Sequence, residues 1–471
     1  MKNFFKLPAF VCCFFLLSFN ANAELNLELP DLNLPDLGGG SGHYISAVSE
    51  SQQGLRILRS LRAQGALIEN PEVNLWIRSL GNKLATRAPN VATPFHFAVA
   101  KDLSVNAFAT LGGVVVVNAG LILRSDSESE LAAVMAHEIA HVTQRHIQRI
   151  IVEAEKSKFA TGAALIVGAL AATQDAQAGA AVLNATLALS AHKQLSFGRG
   201  AEAEADRVGL RILASAGFNP KAMPAFLQKL EQFDNSNTAD IREFLQNHPL
   251  SVKRVADTSI RAQKYGTYKG SESISFLYMR EKVRALTGSS SPTPQVVPVK
   301  VKNYANALKL EQQGAYAKAI KISKIKSTRN ISEAVLLAEL YNKQSQFQQT
   351  VSLLNPLIRI YPGNEAITAP LSQAYASLGN IQQSWRVLQD VNVSEQTSLE
   401  VFEIKQEISR LMGNTSLAYR AVAERSIRTG RYKAAELQLQ QAIRFPGSNI
   451  VELQEIQQLL NGIRRIKRPR S

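Results

Sequence analysis

The chain has 471 residues, of which 45% are hydrophobic and 19% are charged, so it is long enough for two or more globular domains. Its formal net charge of +15 favours acidic protein partners or an anionic membrane surface, and the alternative is a solvated basic tail, since part of the charge lies in residues 464–470. The two cysteines, Cys12 and Cys13, both lie in an N-terminal apolar segment. Disulfide bonds and cysteine catalysis are therefore excluded for the chain that follows this segment.

Residues 1–23 have the pattern of an export signal. Two lysines begin the segment, an apolar run extends from Leu7 to Phe19, and Ala21-Asn22-Ala23 is a small-x-small cleavage site. A retained membrane anchor is the alternative, but the apolar run is shorter than the roughly 20 residues that a bilayer span requires. We expect cleavage near Ala23 and, for a large exported chain without cysteines, a periplasmic location.

The next hundred residues predict a leader, two helices and two strands. Residues 24–44 are rich in proline and glycine and predict a flexible leader. Residues 45–90 have apolar side chains at helical spacing, which predicts two surface helices. Phe95–Val99 and Val114–Val117 are aromatic or β-branched runs bounded by proline and glycine, and both predict strands.

A helix is predicted from Ser127, which is the expected N-cap, with Glu130 completing a capping box. Two alanine-rich stretches follow, Phe159–Ala172 and Ala178–Ala191, and each is too short to span a membrane. We expect them to be buried or lid-forming helices. A further helix is predicted over Ala201–Ala216.

The second half of the chain predicts an all-α repeat region. Residues 287–300 are rich in serine and proline and mark a linker, so we place a first domain at 45–286, repeats at 301–463 and a basic tail at 464–471. A motif of glycine, an aromatic or aliphatic residue and a small residue recurs with a period near 34, typical of tetratricopeptide helix pairs. Its copies are Gly314-Tyr316-Ala319, Gly379-Ile381-Ser384 and Gly430-Tyr432-Ala435, with a degenerate copy at Ser345-Phe347-Thr350, and Gly413-Thr415-Ala418 lies 34 residues after Gly379.

His137-Glu138-Ile139-Ala140-His141 carries the strongest chemical signal. At positions i and i+4 of a helix the two imidazoles lie on one face and can bind one tetrahedral ion. Glu138 can contact a metal-activated water without binding the metal itself. A chance match on an ordinary helix is the alternative, but the flanking residues are apolar, and burying these polar groups without a partner would cost several kcal/mol. Two imidazoles and a carboxylate favour Zn²⁺, one per chain.

A catalytic zinc requires a third protein ligand and an open position. His146 lies about 500° beyond His141 on a continuous helix, which predicts a surface residue that points away from the metal. Further along the chain, Glu202 and Asp206 share a helix face, and Glu204 points the other way. The candidate third ligand therefore lies on the face of Glu202 and Asp206, and Glu202 is preferred to Glu204. The alternative is an ordinary helix-surface carboxylate that favours the helix dipole.

Taken together, these motifs resemble those of the M48 metallopeptidases, in which HExxH is followed by a Glu-x-x-x-Asp helix. The resemblance covers nearly all of the chain beyond the export signal. It depends on Asn106–Ala109 with Gly112-Gly113, Ser127–Leu131 leading into the HExxH motif, Glu202–Asp206, and His248-Pro249 with Arg254. Thr110-Leu111 departs from the leucine-proline that the family has, which concerns the shape of that loop only.

The resemblance implies a zinc metalloendopeptidase in which His137, His141 and Glu202 bind the metal. It also implies that Glu138 is the general base and that Asp206 supports the metal site or the transition state. The expected fold is mainly α with a small β-sheet in a gluzincin-like peptidase domain, followed by the all-α repeat solenoid. The chain is similar to periplasmic members of the family that act in envelope protein quality control and outer-membrane protein assembly.

Two further hypotheses concern the working of the site. His248 precedes a proline, and it is either a capping or packing residue or a regulatory fourth ligand that must leave before water or substrate enters. The strand Val114–Val117 is expected to offer an exposed edge to which an extended substrate adds as a further strand. This mode of binding would favour unfolded chains.

Three functions are compared. The first is a periplasmic endopeptidase that cleaves misfolded or stalled envelope proteins, with the repeats binding the outer-membrane assembly machinery and with peripheral membrane contact. The second is a chaperone or assembly scaffold with latent proteolysis. Nucleic-acid binding is disfavoured by the export signal.

Overall fold

A computed structural model describes most of the chain. The described residues are 47–156, 198–235, 239–268, 270, 273–291, 297–323, 330–445 and 450–467. The expected export signal, the leader up to residue 44, both alanine-rich stretches, the centre of the linker and the end of the basic tail lie outside them. None of the helices in the described ranges is long and apolar enough to cross a membrane.

Helices dominate the part of the chain that the structure describes, in agreement with the predicted fold class. The helices of the first half are α1 (Ala47–Ala63), α2 (Pro71–Ala85), α3 (Ala119–Arg124), α4 (Glu128–Thr143), α5 (His146–Lys156), α6 (Arg199–Ser215), α7 (Ala222–Asn235), α8 (Ala239–Asn247), α9 (Val252–Gln263) and α10 (Ile274–Thr287). The helices of the second half are α11 (Val299–Gln312), α12 (Tyr316–Ser323), α13 (Ile331–Lys343), α14 (Phe347–Ile360), α15 (Glu365–Ser377), α16 (Ile381–Gln389), α17 (Leu399–Leu411), α18 (Thr415–Arg428), α19 (Tyr432–Arg444) and α20 (Ile450–Lys467).

A small sheet of three strands has the order β1-β3-β2, with β1 at His96–Ala100, β2 at Ala107–Ala109 and β3 at Val114–Asn118. β1 runs parallel to β3, and β2 runs antiparallel to it. The two predicted strands are therefore confirmed as β1 and β3, and β2 is an additional short strand between them in sequence. β3 is buried throughout because strands flank it on both sides and helices cover its faces.

The turn from β2 into β3 depends on two glycines. Gly112 and Gly113 have φ angles of 76° and 77°, in the left-handed region that a side chain disfavours. A Cβ atom at Gly112 would also lie 2.1 Å from the carbonyl oxygen of Glu50 in α1. The glycine pair therefore allows α1 to pack directly against the turn.

The helix α4 begins as predicted and is buried almost all round. The Ser127 hydroxyl accepts a hydrogen bond from the N–H of Glu130 at 3.2 Å. The Glu130 carboxylate accepts from the N–H of Asp126 at 2.9 Å, one residue earlier than an ordinary capping box would have it. Both contacts satisfy backbone donors at the N-terminus of α4. They therefore stabilise the start of the helix that carries the HExxH motif.

The helix α6 crosses α4 at close range beneath the motif. A Cβ atom at Gly209 of α6 would lie 3.0 Å from the backbone nitrogen of His137 and 3.1 Å from the carbonyl oxygen of Ala136. A larger residue would push the two helices apart. The absence of a side chain at Gly209 therefore sets how closely α6 approaches the histidines.

The second half forms helical hairpins at the positions that the repeat motif predicts. The first residue of each of the five copies has a φ angle between 55° and 79° and joins two helices, and the small residue of each copy is buried. These residues are Gly314, Ser345, Gly379, Gly413 and Gly430, with Ala319, Thr350, Ser384, Ala418 and Ala435. A left-handed residue ends one helix, and the small residue lets the next helix pack closely.

The two halves of the chain are packed against each other. One hydrophobic core extends from Ile68 to Leu340 and so crosses the predicted linker. The Arg59 guanidinium of α1 pairs with Glu395 at 2.6 Å and donates to the hydroxyl of Tyr432 at 2.8 Å. Contacts from the second half therefore hold α1 against the sheet.

The outer edge of β1 is covered by backbone and side-chain contacts. The N–H of Phe97 donates to the Gln396 side chain at 2.7 Å. The carbonyl oxygen of Val99 accepts from the N–H of Ile68 at 2.8 Å, beside a bridge between Leu67 and Ala100. Among the described residues, these contacts therefore close the edge of β1 to an added strand.

Candidate metal centre

Three separate segments bring the predicted site residues together. α4 carries His137, Glu138 and His141, α6 carries Glu202, and His248 follows the end of α8. All five side chains are buried. The structure therefore groups the residues that the HExxH motif, the Glu-x-x-x-Asp helix and the His-Pro motif singled out.

The ligand-type atoms of four of these residues face one common point. His137 Nε2 lies 2.9 Å from His141 Nε2, 3.3 Å from His248 Nδ1 and 3.5 Å from Glu202 Oε2. Glu202 Oε1 lies 3.4 Å from His141 Nε2 and 3.3 Å from His248 Nδ1. These atoms form a compact group in which every residue could offer one metal ligand.

This arrangement fits a tetrahedral zinc ion. Ligands at the usual zinc bond lengths of about 2.0–2.2 Å are separated by about 3.3–3.6 Å, close to the separations observed here. The donor set fits as well, since imidazole nitrogens and a carboxylate oxygen that converge in a buried space are the ligands that zinc prefers. A cation supplies the partner that buried lone pairs require. His248 occupies the fourth corner of the group.

Glu138 lies beside the four residues of the metal group but is not one of them. Its Oε2 accepts a hydrogen bond from the N–H of Ala109 in β2 at 3.0 Å, and its Oε1 lies 3.3 Å from His248 Nε2. Burial raises the pKa of Glu138, although the positive charges of His248 and His137 oppose the effect. A carboxylate with a raised pKa beside a metal centre is suited to accept a proton.

Arg254 of α9 connects three parts of the site. Its guanidinium makes two hydrogen bonds to Asp206, at 2.7 and 2.8 Å, and lies 2.9 Å from Glu202 Oε2. It also donates to the carbonyl oxygen of Pro249 at 3.0 Å, directly after His248. Burial would raise the pKa of Asp206, but the hydrogen bonds from Arg254 and His137 lower it to about 2. Asp206 is therefore a carboxylate at physiological pH.

The two histidines of the motif have different electrostatic surroundings. Burial acts to lower the pKa of His137, but its hydrogen bonds with Asp206, at 3.0 Å, and Glu202 outweigh this effect and raise the pKa to about 10. Burial lowers the pKa of His141 well below its ordinary value, against the hydrogen bond with Glu202. His141 is therefore ready to bind a cation as a neutral imidazole, whereas a cation at His137 displaces a proton.

The prediction that His146 is a surface residue is wrong, although the residue lies outside the metal group as expected. α4 ends at Thr143, and Arg145 has a φ angle of 55°, so the chain turns before α5 begins at His146. The 500° rotation of a continuous helix does not apply, and His146 is only 1% exposed. Its Nδ1 lies 2.8 Å from His141 Nδ1. Burial lowers the pKa of His146.

The expected substrate edge is also corrected. β3 is the central strand, and both of its edges are paired. In the antiparallel pair, Asn118 and Thr110 donate across the β2–β3 interface, so the backbone groups of Ala107 and Ala109 point away from β3. The outer edge beside the metal centre therefore belongs to β2.

Sequence reasoning also missed the backbone contact of Ala109 and the contacts of Arg254. Arg254 was part of the family resemblance, but its three partners lie on α6 and on the loop after His248, which no local pattern relates to each other. Glu204 points away from the metal group, as predicted, and its carboxylate pairs with Arg149 at 2.7 Å.

Comparison with known proteins places the chain among peptidases. The model of peptidase family M48 matches residues 71–262. The β-barrel assembly-enhancing protease of Yersinia pestis is 33% identical over 348 residues, which cover 73% of this chain and 67% of that protein. The protease of the same name from Escherichia coli K12 is 31% identical over 417 residues, or 85% of each chain. With a metal-binding group of this kind at its centre, the chain belongs to peptidase family M48 and is a zinc metalloendopeptidase.

Proposed function

We propose that the chain is a periplasmic endopeptidase that cleaves misfolded or stalled envelope proteins and takes part in outer-membrane protein assembly. The peptidase chemistry is carried by one observation, the convergence of His137, His141 and Glu202 on a common point with Glu138 beside it. The envelope role is supported by the export-signal pattern of residues 1–23 and by relatives named for β-barrel assembly.

In this proposal His137, His141 and Glu202 hold the zinc ion, and Glu138 moves the proton. When bound, zinc polarises the scissile carbonyl and lowers the pKa of water. Glu138 accepts the proton of the attacking water and delivers it to the amine nitrogen that leaves. The N–H of Ala109 holds one oxygen of Glu138, which turns the other oxygen toward the metal group. Asp206 fixes the ring of His137 from behind.

Substrate is proposed to bind along the outer edge of β2. The backbone groups of Ala107 and Ala109 point away from β3 there, toward the side of the catalytic glutamate, to which the N–H of Ala109 donates. A peptide added as a strand at this edge would present its backbone carbonyls to the metal. Only a chain whose own backbone hydrogen bonds are open can add in this way.

We therefore expect proteolysis to discriminate by folding state. An outer-membrane β-barrel protein presented unfolded in dilute urea should be cut at least about tenfold faster than the same protein folded in detergent micelles. Gel electrophoresis of a time course measures both rates, with a small unstructured peptide in each buffer as the control for solvent effects. Equal rates on the two forms would contradict binding by strand addition.

His248 is proposed to be a fourth ligand of the resting enzyme. Its Nδ1 stands with the ligand atoms of the other three residues, and its Nε2 faces Glu138. A catalytic zinc requires an open position, and His248 closes it. The residue lies in the short connection between α8 and α9, so a movement of this connection would open the site.

Replacing His248 by alanine is expected to increase the rate of proteolysis several-fold, because water and substrate gain the fourth position while the other three ligands are retained. The rate of cleavage of an unfolded substrate and the rate of self-cleavage are both measured at saturating zinc. His96→Ala is the matched control, since this histidine lies on β1, away from the metal group. Unchanged or lower activity of the His248 variant would argue against an inhibitory role.

The helical hairpins of the second half are proposed to be tetratricopeptide-like repeats that bind partners of the assembly machinery. Their supporting features are the left-handed turn residues and the buried small residues that recur in five copies. A second candidate function, a chaperone or assembly scaffold with latent proteolysis, is favoured by the position of His248 in the metal group.

A further inference from the structure

The buried contact between His141 and His146 has no role in the function proposed so far. His146 Nδ1 lies 2.8 Å from His141 Nδ1, on the side of the ring opposite to the metal group. His146 Nε2 lies 3.2 Å from Glu204 Oε2, and Arg149 Nη2 donates to the same oxygen at 2.7 Å. The four side chains form one continuous series that ends at the protein surface.

The proton positions along this series follow from zinc binding by His141 at one end and from the Glu204–Arg149 ion pair at the other. A histidine that binds zinc through Nε2 carries its proton on Nδ1, so His141 donates to His146. His146 Nδ1 must then be an acceptor, and the proton of that ring lies on Nε2. Glu204 accepts this proton as a carboxylate, and Arg149 stabilises its negative charge. Each ring then has one tautomer that satisfies the contacts of this series.

We propose that His146 and Glu204 are positioning residues that orient His141 and fix its tautomer for zinc binding. This inference rests on the proposed role of His141 as a zinc ligand. His137 has an equivalent support in Asp206 and Arg254, but there the partner is a buried carboxylate in direct contact. For His141 a second imidazole stands between the ligand and the carboxylate, so the negative charge remains farther from the metal.

The turn at Arg145 makes this contact possible. In a continuous helix His146 would point away from His141, but the left-handed conformation of Arg145 redirects the chain. Arg145 is held by an ion pair with Glu50 of α1 at 2.5 Å. The conformation is therefore anchored from outside the two helices that it joins.

The experiment compares two variants of His146 in the full mature chain. Leucine fills a similar volume without an acceptor, whereas the side-chain oxygen of asparagine can lie where Nδ1 of histidine does but does not reach Glu204. Competition with a chromogenic zinc chelator measures the metal affinity. We expect His146→Leu to bind zinc about 10–100-fold more weakly and His146→Asn to recover most of this loss.

Glu204→Ala should weaken binding in the same direction by a smaller factor, and His96→Leu, the same replacement at a histidine outside the group, should leave the affinity unchanged. A purely structural role would predict the opposite order, with leucine tolerated in the buried position and asparagine harmful. An affinity of His146→Leu equal to that of the unaltered protein would overturn the proposal, as would a failure of asparagine to bind more tightly than leucine.

A spectroscopic measurement tests the tautomer itself. In protein labelled with ¹⁵N-histidine and loaded with zinc, His141 Nδ1–H should give a slowly exchanging proton resonance, which His141→Ala identifies by its loss. In His146→Asn, in which the acceptor is kept, the resonance should persist, and in His146→Leu or Glu204→Ala it should exchange faster. Unchanged exchange in both the His146→Leu and the Glu204→Ala variants would overturn the proposal.

His141→Ala separates the two levels of inference. If it binds zinc as tightly as the unaltered protein, the ligand assignment and hence the proposed metal site are wrong. If it loses zinc while His146→Leu does not, only the positioning role of His146 is wrong.

Discussion

Replacing Glu138 by glutamine is expected to reduce peptide hydrolysis by about 10²–10⁴-fold while zinc stays bound, because the amide cannot accept the proton of the attacking water. The carboxylate lies beside the ligand atoms without being one of the four residues of the metal group. Glutamine keeps an oxygen that can accept from the N–H of Ala109. The structure of the site should therefore persist without its base.

The measurement is the initial rate of cleavage of an unfolded substrate, with metal content determined on the same sample. Glu130→Gln is the matched control. It makes the same chemical change in the same helix, at a buried glutamate that caps the helix start and lies outside the metal group. If Glu138→Gln cleaved at the rate of the unaltered protein, another group would have to be the base. Loss of zinc from the variant would instead assign Glu138 a part in metal binding.

The same variant decides between the two proposed functions in the cell. If Glu138→Gln still supports assembly of outer-membrane proteins in cells that lack the natural gene, binding by the repeat region carries the biological role. If assembly fails as in cells without the protein, cleavage carries it. His248→Ala complements this experiment, since it is expected to increase proteolysis without changing the repeats.

The part of the site that could be predicted from the sequence is the part that depends on helical periodicity. Two histidines four residues apart share a face of α4, and Glu202 and Asp206 share a face of α6 for the same reason. The turns of the helical hairpins could also be predicted, because they depend on a local pattern. A glycine between two helical runs indicates a left-handed residue, and the structure has one at each copy of the motif, including Ser345.

The features that escaped prediction depend on departures from periodicity or on contacts between distant segments. His146 was misplaced because the left-handed Arg145, which is not a glycine, gives no sequence signal for the end of α4. β2 has three residues, too few for a period of two to be recognised. The cover of β1 by Gln396 joins residues 299 positions apart, and no local pattern relates them.

Replacing Glu202 by glutamine is expected to lower the zinc affinity by more than the roughly 10–100-fold typical of residues behind the ligands, and to abolish hydrolysis at low zinc. The neutral amide is a poor zinc ligand. The Arg254 guanidinium would also lose one of its two carboxylate partners and keep only Asp206. His248 and the histidines of α4 hold the pKa of Glu202 far below its ordinary range, against the effect of burial, so the unaltered residue is a carboxylate at neutral pH.

Zinc content after dialysis against a weak chelator, and chelator competition, measure the effect. Glu130→Gln is the matched control, because its buried carboxylate accepts from the N–H of Asp126 at the start of α4 and lies outside the metal group. This variant should bind one equivalent of zinc with the affinity of the unaltered protein. Full zinc retention by Glu202→Gln would place the third ligand elsewhere, and His248, the remaining member of the group, would then be a permanent ligand. In that case His248→Ala would lose zinc and activity together, the opposite of the increase expected for a ligand that leaves when substrate enters.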